Sequence, residues 1–207
     1  MEMSVFKHNN NVLLKEFFAE TPEKYQGFWQ ILRDRYPGWE VDLVYRNCEP
    51  PTDFIEEIGA NVLESHIITC LAKEDFTPAN DIDAIAITAE NFDIFAAVHS
   101  RVNPDMGWSS KDILEDLSRW QIYMHGNSYV LMSLWSREAS EIFALEVPND
   151  EIGMSLLSMA AKFAFDIGKS KVDYFINDDC ISHLEFAQKL GFKTCGKSIA
   201  YRVEVLE

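Results

Sequence analysis

Residues 141–168 read EIFALEVPNDEIGMSLLSMAAKFAFDIG, and the change of rhythm inside them decides the fold. Glu141 to Val147 is a short apolar run with the character of a strand, and Pro148 to Glu151 is the loop that ends it. Leu156, Leu157, Met159, Ala160, Phe163 and Ala164 then recur at intervals of three and four, which predicts a long helix closed by Gly168. Val172 to Ile176 follows as another strand. Two strands joined by a helix of this length form a parallel crossover, so the chain belongs to the α/β class.

Working outward, Ile181 to Leu190 predicts a helix ended by Gly191, and Ala200 to Val205 a last strand. Upstream lie strands at about 121–124 and 129–135, joined by the turn His125-Gly126-Asn127. Ser109-Ser110 caps a helix carrying Ile113, Leu114 and Leu117, Glu90 to Val102 is a second helix, and Ile82 to Thr88 a strand. Residues 80–207 thus form one domain with a mixed central sheet.

Residues 1–79 are expected to be an extension of two helices and two strands. Thr21-Pro22-Glu23 opens a helix over 22–35 that Pro37-Gly38 stops, and Val12 to Phe18 is expected to be a helix beside it. Trp39, Val41, Leu43 and Tyr45 alternate with polar residues as in a half-buried strand, residues 52–60 form a short helix or turn, and Ser65 to Leu71 is a β-branched strand.

The chain has 207 residues with 18 Lys plus Arg against 34 Asp plus Glu, a net charge of −16, which argues against nucleic acid and anionic membrane surfaces as partners and favours cationic ligands. No apolar run reaches the roughly 18 residues of a membrane span. Cys48, Cys70, Cys180 and Cys195 are scattered without a CxxC pair, so neither a metal site nor a disulfide framework is expected, and the reading is a cytoplasmic protein with reduced thiols.

The element order from residue 82, with Glu141 to Val147, the helix segment Gly153-Met-Ser-Leu-Leu157 and above all Phe186-Ala-Gln-Lys-Leu-Gly-Phe192, resembles the GNAT family of acyl-CoA-dependent N-acetyltransferases. The resemblance implies a sheet whose fourth and fifth strands splay, with the pantetheine arm of acetyl-CoA bonded to strand backbone at Leu145 and Val147 and the diphosphate at the helix start, on Gly153, Met154 and Ser155. Glu141 falls where some members carry the base that removes the amine proton, and an apolar face would raise its pKa toward a useful range. The implied reaction is acetyl transfer to a primary amine of a small, cationic acceptor. A homodimer is compatible with this reading.

The sequence departs from the family pattern at the glycine signature and at the general acid. With Gly153 at the second glycine of the Arg/Gln-x-x-Gly-x-Gly/Ala signature, Pro148 stands at Arg/Gln and Glu151 at the first glycine; with Gly153 at the first glycine, Asp150 stands at Arg/Gln. Ala187 stands where many members have the tyrosine that protonates the departing thiolate. A catalytically inactive binding or regulatory protein of the same fold is therefore the alternative. Other candidates are Cys180 and His183 near the thioester, His99 and His125 on the acceptor side, and Trp108, Tyr123, Trp135 and Tyr201 as acceptor walls. Asn177-Asp178-Asp179 ends a strand, with Asp179 expected to cap the next helix.

Overall fold

The computed structural model describes residues 2–7, 10–104 and 106–205. In chain order the elements are β1 (Glu2–Phe6), β2 (Asn11–Lys15), α1 (Pro22–Arg35), β3 (Glu40–Arg46), α2 (Thr52–Glu57), β4 (Asn61–Ala72), β5 (Ile85–Ala86), α3 (Phe92–Val102), α4 (Ser110–Glu115), β6 (Trp120–His125), β7 (Ser128–Ser133), β8 (Ala139–Glu146), α5 (Asp150–Asp166), β9 (Lys171–Asn177), α6 (Ile181–Lys189) and β10 (Lys193–Glu204). They group into two compact units, Met1–Ile67 with Gly196–Glu207, and Ile68–Cys195. No helix among the described residues is long and apolar enough to cross a membrane.

In the first unit the strand order is β1-β2-β3-β10. β2 lies parallel to β3, setting Val12 beside Val41 and Leu14 beside Leu43, while β10 runs antiparallel to β3 with Tyr201 opposite Leu43. Residues 12–15 thus form a strand where a helix was expected. Val12 and Leu14 point into the core at a two-residue period, and Glu16, with φ 54°, ends the extended run as its N–H bonds the Val44 carbonyl. Thr21 caps α1 by accepting from the Lys24 N–H, and Tyr25, Trp29 and Leu32 bury its inner face against Phe54 and the sheet. At the sheet, Asp42 receives Arg202 at 2.7 and 2.8 Å and the Asn11 amide at 2.9 Å, a partly buried carboxylate held on three sides.

In the second unit the order is β4-β9-β8-β7-β6-β5. One face carries α5 and α6 over a core that includes Val130, Met132, Ile142, Leu145, Leu156, Ala160 and Phe186. The other carries α3 and α4 over Phe95, Ile113, Trp120, Ile122, Tyr129, Leu131 and Ala144. β6 and β7 turn at Gly126, whose φ of 59° suits the tight two-residue hairpin. Of the strand expected over Ile82 to Thr88 only Ile85–Ala86 forms, at the β6 edge; the Ile87 N–H still bonds the Ile122 carbonyl at 3.0 Å, and the Thr88 N–H then turns to the Asn91 side chain at 2.7 Å. Ser109 and Asp112 form a reciprocal capping box that starts α4. Cys180, not Asp179, is the N-cap of α6.

The expectation of reduced cysteines fails at one pair. β4 and β10 bring Cys70 and Cys195 together as a disulfide, with Cα atoms 6.1 Å apart, while Cys48 and Cys180 remain free thiols. The pairing joins residues 125 apart in sequence, so spacing along the chain carried no hint of it.

Candidate active site

The site begins with one extra residue. Across β7 and β8, Leu131 lies opposite Ala144 and Met132 opposite Ile142, so Phe143 is a bulge. A bulge bends its strand and increases the local twist. On the other side of β8 the parallel ladder with β9 runs Ala139↔Lys171, Ser140↔Val172, Glu141↔Asp173 and Ile142↔Tyr174, and ends there, next to the bulge. β8 continues to Glu146 and β9 to Asn177. Beyond Ile142 and Tyr174 the facing edges of β8 and β9 do not pair with each other, and this open stretch is the gap, with Ile142 and Tyr174 at its apex.

The bulge also reassigns side chains to faces. Residues directly opposite on neighbouring strands share a face. Ile142 and Leu145 therefore point with Met132 and Val130 to the α5 side, while Glu141, Ala144 and Glu146 point with Ser133, Leu131 and Tyr129 to the α3 side. An unbroken strand would put Glu141 and Leu145, four apart, on one face; the extra residue turns Leu145 away from it. In a regular strand Glu141 and Glu146, five apart, would face opposite ways. Here they share one.

Asn149 caps α5, accepting the Ile152 N–H on its side chain at 3.0 Å and the Gly153 N–H on its carbonyl at 3.1 Å. The helix thus opens at Asp150, three residues before Gly153. Gly153, Met154 and Ser155 lie beyond its first three residues, where amides are already paired within the helix, and Ser155 is buried. The amides left at the start belong to Asp150 and Glu151, whose own carboxylates already complement the helix dipole. Gly153 serves packing: a Cβ there would lie 3.0 Å from the Phe186 ring and 3.1 Å from the Val147 side chain.

At the apex, the Tyr174 hydroxyl is 2.8 Å from Nδ1 of His183 in the first turn of α6. Burial pushes the Tyr174 hydroxyl pKa far above its usual range and lowers that of His183, which is therefore neutral at pH 7. Burial, with Asp179 beside it, also raises the Cys180 thiol, so it is no ready nucleophile. Ala187, one turn after His183, is fully buried.

On the α3 side, Glu146 Oε1 accepts from Asn103 Nδ2 at 3.1 Å, and the same nitrogen donates to the Tyr129 hydroxyl at 2.7 Å. Tyr129 meets His99 Nδ1 at 2.8 Å, and His99 Nε2 meets the Trp108 carbonyl at 3.0 Å. His99, proposed from sequence only as an acceptor-side residue, is thus a buried link in this chain; His125 instead bonds the Asp83 carbonyl at 2.9 Å. Trp108 and Trp135 pack together with Trp120, their ring centroids 4.9 to 5.7 Å apart. Tyr123 lies on the opposite face against Phe163, and Tyr201 packs in the first unit. Glu146, Tyr129, Asn103 and Tyr174 escaped the sequence reading because a bulge and a strand separation bring them together, and neither leaves a motif.

No protein-family model and no curated protein matches the sequence. Solved structures do match. A GCN5-related N-acetyltransferase from Sphaerobacter thermophilus superimposes with a TM-score of 0.69 at 11% identity, over 99% of this chain and 76% of that one. A tandem GNAT protein from the clavulanic acid biosynthesis pathway gives 0.69 at 10% identity, over 99% and 78%. A GCN5-related N-acetyltransferase from Kribbella flavida gives 0.64 at 10% identity, over 93% and 80%. The chain has the fold of the GNAT acetyltransferases.

Proposed function

We propose that the chain is an acyl-CoA-dependent N-acyltransferase that moves an acetyl group from acetyl-CoA to a primary amine of a small, cationic acceptor. The observation that carries this reading is the end of the β8–β9 ladder at Ile142 and Tyr174, beside the Phe143 bulge. Backbone groups along an open strand edge satisfy themselves by bonding an extended amide-bearing arm as they would another strand. Leu145 and Val147 supply that edge. The pantetheine thioester brings the activated acyl group; Leu145 and Val147 align it, and Glu141, on the α3 side, takes the proton the amine must lose. The Tyr174 and His183 pair stands at the apex where the thiolate departs.

The fit is uneven. The neutral pantetheine arm suits the open edge, whereas a diphosphate at the start of α5 would meet Asp150 and Glu151. Acetyl-CoA consumption with an amine panel tests the reading. Turnover that falls about 10²- to 10⁴-fold in Glu141→Gln, the usual range for general base catalysis, supports it. Absence of turnover with every amine favours the second reading, a binding protein of the same fold, for which buried Ala187 and the acidic start of α5 speak.

A further inference from the structure

The hydrogens of the chain behind Glu146 follow from donor and acceptor chemistry for a His99 ring that carries one proton. A backbone carbonyl only accepts, so His99 Nε2, 3.0 Å from the Trp108 oxygen, carries its proton. With a single ring proton, held at Nε2, Nδ1 is an acceptor and the Tyr129 hydroxyl donates to it. The Tyr129 oxygen is left to accept from Asn103, whose two amide hydrogens go one to Tyr129 and one to Glu146. Each link fixes the next. His99 and Tyr129 are 1% and 0% exposed, so the far end of the chain cannot turn to water instead.

This order converges on Glu146, the partly exposed end of β8 at the mouth of the gap. No lysine or arginine among the described residues pairs with its carboxylate. Glu146 lies four residues beyond Ile142, the last residue of β8 that pairs with β9, on the stretch of the strand left open on that side. A carboxylate oriented by a buried chain, with no cation of its own, is built to receive one. The bulge separates its task from that of Glu141, which lies on the same face but within the paired part of β8.

We infer that Glu146 recognises a cationic group of the acceptor, and that Asn103, Tyr129 and His99 are positioning residues that hold its carboxylate at the mouth of the gap. The assignment of that cation to an acyl acceptor rests on the acyltransferase reading.

The test is calorimetric titration of the full chain with spermidine, used as a probe cation, at 150 mM salt to suppress general attraction to an acidic surface, with CoA titrated separately. Glu146→Gln should weaken spermidine binding about tenfold or more, and Asn103→Ala about threefold to tenfold, with Glu146→Asp recovering part of the loss. Glu90→Gln, an exposed acid elsewhere, should leave affinity unchanged. In the wild type, the Asn103 side-chain amide resonances should shift on adding spermidine, a response that a purely structural amide would not give. No spermidine binding by the wild type, or equal affinity in Glu146→Gln, overturns the inference. Spermidine binding that depends on Glu146 in a protein that ignores CoA supports the cation site and removes the acyltransferase reading, so the two fail separately.

Discussion

Tyr174 and His183 meet at the apex of the β8–β9 gap, hydroxyl to Nδ1 at 2.8 Å, with Tyr174 on the last rung of the ladder and His183 in the first turn of α6. Burial holds the His183 pKa below its ordinary 6.5, against the opposite pull of Glu146 and Asp150. As pH falls below 6.5 the unfolded chain takes up this proton before the folded one does. Stability is therefore whole above pH 6.5 and is lost as pH falls toward the folded value. Thermal unfolding followed from pH 7.5 to 5.5 should show a falling Tm, and a smaller fall in His183→Asn. An identical slope in the two proteins would return His183 to ordinary surface behaviour.

The Cys70–Cys195 disulfide closes a loop of 125 residues and ties β4 to β10. Loop-closure entropy sets an upper estimate of about 4 to 5 kcal/mol for such a link. Cys195 is exposed, so a reductant can reach it. Urea unfolding with and without dithiothreitol should separate by a substantial part of that amount, and the Cys70→Ser, Cys195→Ser double variant should match the reduced protein.

Asp150 and Glu151 supply both the free amides and the negative charge at the start of α5. Replacing them with Asn and Gln should raise CoA affinity by roughly fivefold for the double variant at low ionic strength, since about 1 kcal/mol of repulsion at several ångströms is a modest Coulomb term. The gain should shrink as salt is added. Affinity that is unchanged at all salt concentrations would show that the diphosphate lies elsewhere.

Gly153 is a contact between helix and strand rather than an amide donor. Gly153→Val forces atoms into the space held by the Phe186 ring and the Val147 side chain, 3.0 and 3.1 Å from the position of a Cβ. Overpacking of this kind costs about 1 to 3 kcal/mol. Denaturant unfolding measures it directly, and a neutral result would mean that Val147 and Phe186 move apart freely.

The elements of the fold were mostly readable because they obey local rules. Thr21 before Pro22, Ser109 before a helical apolar stripe, and the glycines after α5 and α6 each act within a few residues. Val12 to Lys15 misled because an apolar run this short fits a helix turn or a strand equally well, and only its partner β3 decides. Glu141, Leu145 and Val147 are expected as site residues through family resemblance alone; the first two lie on β8 and Val147 follows its end. Glu146 looked like one more acid in an acidic chain. Its neighbours depend on Phe143 being an extra residue, a property of the pairing with β7 and not of the β8 sequence.

The central claim is that the β8–β9 gap receives a pantetheine arm, and the most direct measurement is a titration of the isotopically labelled protein with CoA, read at backbone amides. The account predicts saturable shifts concentrated at residues 143–147 on β8 and its end, and at Ile176 and Asn177 on β9, with little change at Ala139 to Glu141, where the strands remain paired. Amides of the gap that stay unmoved at millimolar CoA would contradict it.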